Sequence, residues 1–401
     1  MGTHGTGLVI RLVFLLGLLH YSTPSVVGKF GLLTSIEAVS IYFSGMEFHT
    51  FAARRYMKAA TPRRLRILMR AHMFLVAITA PATAVIGAFA TIALKMELSA
   101  SLILIFAVAL LMGAILQEMG RYLILNKRPV SSIVLSVLRT AAWQPAALLL
   151  ILLGKEPMLA IVGSWASMAF AAATWSLWTM RHELRARSRF RLSYIRSGLW
   201  KARTYYGISA LSTLQGNLER FVLQLFLGPA SVGVFSYFQT LANTMPSLIQ
   251  AAILNLSLPH LLAKFGQRAP DRWTYQRQVA KQSALASLAV GAIICALAVP
   301  LTTVVSKHDY QSGLWMLPIL LLAQVLLVWT QASHLALYAA HRDAVLLGFA
   351  ALALAASAVL NLSLIPLLGV AGAVVAPLLV ACLIAWARQR SLRALQSEER
   401  T

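Results

Sequence analysis

Ser99-Ala-Ser-Leu-Ile-Leu-Ile-Phe-Ala-Val-Ala-Leu-Leu-Met-Gly-Ala-Ile-Leu-Gln-Glu-Met-Gly120 decides the fold. Not one charged side chain occurs before Glu118, and Lys95 and Arg121 bracket the run. A helix needs about 20 such residues to cross the hydrocarbon of a bilayer. Similar runs recur along the whole chain, and the pattern predicts helices at 7–22, 30–51, 71–94, 99–120, 130–153, 158–180, 204–227, 231–262, 282–305, 313–338, 344–365 and 370–387. Backbone in lipid must satisfy its own hydrogen bonds, and no alternating ten-residue pattern suggests a barrel. The expectation is an all-α integral membrane protein of about twelve transmembrane helices.

Composition agrees. Of 401 residues, 12% are charged and 59% hydrophobic, with a mean hydropathy of +0.73. Soluble domains carry about 25% charged residues, so this surface has too few to stay in water. The two cysteines, Cys295 and Cys382, sit in apolar runs and make neither a disulfide framework nor a metal site. Met1 to Tyr21 has Arg11 as its one cation and ends in Tyr21-Ser22-Thr23-Pro24, a poor cleavage signal, so it reads as a retained first helix.

The formal charge of +23 would suggest nucleic acid in a soluble chain, but here the cations sit in short loops and report orientation. Alternate loops on one side (54–70, 121–128, 181–203, 264–281, Arg342 and 388–401) hold 28 of the 35 Lys and Arg residues. The other side holds four: Lys29, Lys95, Lys155 and Lys307. The basic side is cytoplasmic by the positive-inside rule, which puts both chain ends there and the protein in the cytoplasmic (inner) membrane. The segment 181–203 mixes arginines with Phe190, Tyr194, Ile195, Leu199 and Trp200, a composition expected to lie along the anionic leaflet. It divides the chain into a six-helix bundle (1–180), a basic cytoplasmic linker (181–203) and a second six-helix bundle with a cytoplasmic tail (204–401). Gly31-Leu-Leu-Thr-Ser-Ile-Glu37 and Gly233-Val-Phe-Ser-Tyr-Phe-Gln239, at equivalent places in the two halves, give a faint internal repeat.

No phosphate loop, metal-ligand spacing or Ser-His-Asp grouping occurs, so neither a cofactor nor catalysis is expected. Attention falls on charges inside apolar runs, which are costly in lipid and usually face a cavity or a partner. Arg139 lies about 15 Å into its helix at 1.5 Å per residue, and Ser132, Ser136, Arg139 and Trp143 share one face of that helix. A guanidinium at that depth suits a phosphate, which it can hold with two hydrogen bonds, or an ion pair with a glutamate. Glu37, Ser40, Ser44 and Glu47 form a second stripe, with Glu47 also placed to pair with Arg54 or Arg55. Glu219 and Arg220 are adjacent and so point apart; Arg220 is favoured for a cavity and the other face for the bundle. Ser236, Gln239, Asn243, Ser247 and Gln250 make a polar stripe on a helix bent by Pro246. Glu118 and Arg121 read as a surface ion pair, and Arg11 as a residue able to snorkel. The candidate cavity residues are therefore Arg139, Arg220, Glu37, Gln239, Asn243 and Ser136, with Glu37 and Glu219 as candidates for ion coupling.

Two segments carry a resemblance: Asn361-Leu-Ser-Leu-Ile-Pro-Leu-Leu-Gly-Val-Ala-Gly-Ala-Val-Val-Ala376 and Glu219-Arg-Phe-Val-Leu-Gln-Leu-Phe-Leu-Gly-Pro-Ala-Ser-Val-Gly-Val-Phe-Ser-Tyr237. Together with the six-plus-six layout they resemble the polysaccharide-exporter branch of the multidrug/oligosaccharidyl-lipid/polysaccharide flippase superfamily. The resemblance implies a MATE-like fold of two bundles around a central cavity. It also implies a lipid-linked glycan cargo on a polyprenyl diphosphate, exported by alternating access, with membrane lipids and other polysaccharide-assembly proteins as partners. Glu219 stands where that family often has Asp. A drug/cation antiporter of the same superfamily would want a more acidic cavity. A major-facilitator carrier would show Gly-x-x-x-Asp-Arg in the 54–70 loop. A glycan polymerase, ligase or glycosyltransferase would need larger outer loops than these.

Overall fold

The structure is a computed structural model that describes residues 2–57, 61–185, 192–305 and 307–398. All regular structure among them is helical. The chain divides into two compact units, Met1–Ala210 and Leu211–Thr401.

The first unit contains α1 (Gly2–Tyr21), α2 (Pro24–Phe43), α3 (Phe48–Met57), α4 (Pro62–Ala93), α5 (Ala100–Leu125), α6 (Pro129–Thr140), α7 (Trp143–Leu152), α8 (Pro157–Thr179), the short α9 (Arg181–Arg185) and most of α10 (Leu192–Gln215). The second contains α11 (Leu218–Ile249), α12 (Asn255–Gly266), α13 (Arg272–Val305), the short α14 (His308–Ser312), α15 (Met316–Ala339), α16 (Asp343–Leu368) and α17 (Val370–Glu398). Ten segments are long and apolar enough to cross a membrane, and Val9–Tyr21 in α1 is a shorter apolar one. One of the ten, Leu192–Gly266, is 75 residues long and breaks at Gly228, where φ is 79° and Pro229 follows, so it reads as two crossings.

Helices start where the sequence supplies caps. Ser99 accepts a hydrogen bond from the Leu102 N–H, and the Glu156 carboxylate accepts from Met158 and Leu159 at 2.9 and 2.6 Å. Pro24, Pro129 and Pro157 stand in the first turns, where a missing N–H costs nothing. Sidedness is inverted relative to a soluble protein. Val85, Phe89, Leu104 and Val359 are about two-thirds exposed, while Ser35, Thr83, Ser283 and Ser357 are buried. Apolar surface on that scale needs lipid against it.

Three expectations about regularity fail. The helix expected at 30–51 stops at Phe43: Gly45, Met46 and Glu47 all have positive φ, and α3 starts afresh at Phe48. The helix expected at 130–153 breaks at Ala141–Ala142, because Pro145 has no N–H to continue the ladder across it. The helix expected at 231–262 passes through a π-helical turn at Gln250–Leu254, just after Pro246. Helix α10 begins at Leu192, and Tyr194, Ile195 and Leu199 pack into the core of the first unit around Phe48, Phe51 and Leu68. Trp200 is two-thirds exposed beneath the Arg203 guanidinium, and Phe190 lies outside the described residues.

The α16–α17 connection shows why Asn361–Ala376 has its composition. Gly369 turns the chain at φ 61°, and Gly372 lies against the backbone carbonyl of Leu364, where a Cβ has no room and the obstacle cannot rotate away. Gly372→Ala should therefore lower the thermal midpoint in detergent. Gly348→Ala, at a helical glycine with open space around it, should leave the midpoint unchanged or raise it slightly.

Candidate functional site

In the first unit, the membrane charges of α1, α2 and α6 gather at one place, beside Gln117 of α5. The Arg139 Nη1 atom lies 3.9 Å from Glu37 Oε1 and donates to Gln117 Oε1 at 3.3 Å. Arg11 is near enough to interact electrostatically with both Glu37 and Arg139. Gly113, one turn before Gln117 on α5, keeps the wall beside the Glu37 carboxylate thin; a Cβ there would stand 3.7 Å from it. Two guanidiniums around one carboxylate leave an excess of positive charge within the membrane segments. The Arg139 and Glu37 side chains keep 23% and 20% of their surface exposed, so the pair is reachable. Arg11 thus belongs with the candidate residues, and its sequence signal was a lone cation in an apolar helix.

The serine stripe expected beside Arg139 does not hold together. Ser132 is buried and donates to the Gly120 carbonyl at 2.8 Å, while Ser136 is exposed. The break at Ala141 removes Trp143 from the face of Arg139, and its ring stacks on Trp165 at 5.4 Å with Phe14 and Phe30 edge-on to it. The stripe on the second helix is likewise cut. Ser40 stays on α2 and is buried, Ser44 ends that helix, and Glu47 lies beyond the break.

That break is held by a network the sequence did not suggest. Arg121 Nη1 donates to Glu118 Oε1 at 2.7 Å, and its Nη2 to Glu47 Oε1 at 3.4 Å. Glu118 Oε2 lies 3.5 Å from His72 Nε2, and His72 Nδ1 is 3.2 Å from the Tyr122 hydroxyl. The Glu118–Arg121 pair is formed as expected, but Glu118 and His72 are fully buried, so it is no surface pair. Glu47 pairs with Arg121 across α5, a tertiary contact that spacing cannot reveal. Gly45 must be glycine here: φ is 69°, and a Cβ would stand 2.8 Å from His72 Nε2 and 3.0 Å from the Glu118 carboxylate. Its N–H donates to Thr79 Oγ1 on α4 at 3.3 Å, one of the backbone groups that the break releases.

In the second unit the two quoted motifs meet. Ser357 Oγ donates to Glu219 Oε1 at 3.5 Å, and Asn361 Nδ2 donates to the Ser357 carbonyl and hydroxyl oxygens at 2.8 and 3.1 Å. Glu219 is therefore buried against α16, while Arg220, next to it on α11, is half-buried and interacts with its charge. Along the stripe of α11, Ser236 and Gln239 are buried, and Asn243, Ser247 and Gln250 are exposed. Asn243 Oδ1 accepts from Gln324 Nε2 of α15 at 2.9 Å, so part of the stripe binds helix to helix. Among the described residues no group of three His, Cys, Asp or Glu side chains could hold a metal ion.

Residues 3–262 match the profile of a family described as "Polysaccharide biosynthesis protein". The match covers more than half of the chain, and the chain belongs to that family. No curated protein sequence gives a significant match. Among solved structures the chain is similar to lipid II flippase MurJ in an inward closed conformation (TM-score 0.76, 10% identity, covering 98% of this chain and 86% of that one). It is also similar to an inward-facing multidrug resistance MATE transporter of the MOP superfamily (TM-score 0.64, 15% identity, 97% and 99%). A third is a MATE transporter of Vibrio cholerae (TM-score 0.59, 14% identity, 96% and 93%). At these identities the likeness establishes the fold, which is MATE-like.

Removing Arg121 would leave Glu118 as a charge without compensation in the core. Arg121→Met should destabilise the protein by about 3 kcal/mol, the usual cost of breaking a buried pair. Glu118→Gln in the same chain should recover part of that, as measured by a double-mutant cycle on detergent unfolding.

Proposed function

We propose that this chain, as a member of the polysaccharide biosynthesis family, is a flippase. It carries a lipid-linked oligosaccharide or polysaccharide repeat unit, borne on a polyprenyl diphosphate, across the cytoplasmic membrane by alternating access. Its basic loops and both chain ends lie in the cytoplasm, where the 28-to-4 split of cations puts them.

The observation that carries this reading is the grouping of Arg11 and Arg139 around Glu37. A diphosphate cannot cross hydrocarbon unaided, because its charge loses water and gains nothing in return. Guanidiniums held on membrane helices replace that water with charge-assisted hydrogen bonds, two at a time. In the resting state Glu37 balances part of the charge, and an arriving phosphate competes with it for Arg139. Displacement of Glu37 then leaves a carboxylate free to take a proton or another cation, which couples cargo to ion movement. Ser136 of the first unit and, separately, Arg220 and Asn243 of the second are further candidate contacts for the sugars; Gln239 is buried in its bundle, and Glu219 is a second coupling candidate. The lipid tail stays in the bilayer throughout. The fold shared with lipid II flippase MurJ is consistent with a lipid-linked cargo.

The multidrug transporters share the fold too, but a carrier of organic cations gains nothing from two arginines around one carboxylate. A polymerase or ligase would need acceptor-binding surface outside the membrane, and the outer connection Lys95–Ser99 is typical of these short loops.

Arg139→Ala should reduce surface polysaccharide at least tenfold while the protein stays at its normal level in the membrane, since a lost charged hydrogen-bond pair costs about 1.5–3 kcal/mol per bond. Lipid-linked glycan should then accumulate on the cytoplasmic face, as read by protection from an added glycosidase. Arg139→Lys, which keeps the charge and loses the fork, should retain part of the activity. Normal surface polysaccharide in Arg139→Ala would remove this residue from the mechanism.

A further inference from the structure

Cations that the sequence assigns only to orientation converge in the second unit. Arg277 and Lys281 of α13 and Arg393 of α17 line a cavity of 490 Å³, together with Gln276, Leu285 and Trp329 of α15. An excess of basic residues in cytoplasmic loops has no need for one from the tail to join two from another loop. Arg277 and Lys281 are one helical turn apart on the same face of α13, an arrangement that repels unless something negative sits beside it. Lys264, earlier in the same basic stretch, has its charge answered by Asp271 at 2.5 Å. Among the described residues no carboxylate pairs with Arg277, Lys281 or Arg393, and none of the described lining residues is acidic.

Two further observations shape the ligand. Gln276 is 2% exposed; its Nε2 donates to Ser333 Oγ at 3.3 Å, and its Oε1 is buried in the wall with no protein partner. A buried amide oxygen of this kind needs a donor, such as a hydroxyl. The other end of the cavity is apolar, and Leu285 and Trp329 there are 57% and 36% exposed on membrane-spanning helices. From Arg277 to Leu285 the face of α13 changes from cationic to apolar over about 12 Å, room for a phosphate at one end and for the upper part of an acyl chain at the other. We propose that this cavity binds the glycerol phosphate headgroup of an anionic phospholipid. The phosphate sits on Arg277, Lys281 and Arg393, a headgroup hydroxyl donates to Gln276, and the acyl chains run past Leu285 and Trp329. Basic pockets between membrane helices on the cytoplasmic side are suited to such headgroups. The site is independent of the cargo.

Trp329 supplies the probe. Full-length protein is placed in phosphatidylethanolamine vesicles that contain either brominated phosphatidylglycerol or brominated phosphatidylethanolamine, and tryptophan quenching is measured. Phosphatidylglycerol should quench more strongly, and the difference should vanish in Trp329→Phe. Arg277→Gln/Lys281→Gln/Arg393→Gln should weaken the apparent affinity roughly tenfold, while the charge-matched Arg268→Gln/Arg342→Gln/Arg390→Gln protein keeps it. Equal quenching by the two lipids, or equal loss in both triple variants, overturns the proposal. Displacement by millimolar glycerol phosphate added in water overturns it as well, because that would mark a site for soluble phosphate. If the pocket variant does not fold, the unaltered protein and Trp329→Phe still decide the question.

Discussion

Hydrocarbon cannot hydrogen-bond, and the rest of this structure follows from that. Each backbone N–H and C=O in the spans must find a partner inside the protein, so all regular structure among the described residues is helical. The same rule decides where a helix can break. The turn at Gly45–Glu47 is tolerated because Thr79 accepts the Gly45 N–H and because Arg121, Glu118 and His72 surround it with side chains able to exchange hydrogen bonds. At Ala141–Ala142 the Ala141 N–H keeps its helical bond to the Val137 carbonyl, and the Ala142 N–H turns to the same oxygen. A break is tolerated where a side chain or a neighbouring carbonyl satisfies the freed backbone.

Charge obeys the same logic at a higher price. The first unit holds one polar cluster built for permanence, with Glu118 and His72 sealed from solvent, and another left partly open, around Arg139 and Glu37. They are two turns or less apart along α5, yet their exposures differ because Glu118 faces α4 and Gln117 faces α6. A sealed cluster fixes a shape. An open one with surplus charge can accept a ligand, and the proposed cargo contact is placed there for that reason.

The spans and their order were legible in the sequence because length and hydropathy are local properties. So was the acidic-arginine pair of α11, whose partner Asn361 begins the other recognisable motif. What was not legible is tertiary. Nothing near Glu47 announces Arg121, and nothing near His72 announces Glu118; each pair is closed by helices from distant parts of the chain. One break did have a local signal: Pro145 forbids a regular ladder through Ala141, and the continuous stripe from Ser132 to Trp143 ignored it. The break at Gly45 had only a glycine to mark it, and glycine is common in membrane helices. Convergence of Arg277 and Lys281 with Arg393 was hidden because charge counting treats each loop separately.

The π turn at Gln250–Leu254 has a geometric effect on everything after it. A π turn holds one residue more than an α turn, and one residue is worth about 100° of azimuth on a helix. The segment α12 therefore presents a face that no wheel drawn from α11 would forecast, with Leu261 and Phe265 turned into the bundle and His260 turned out. Sequence drift that adds or removes a single residue at this point would re-aim the segment beyond the π turn like a dial. The register of the helix before the turn would stay where it was.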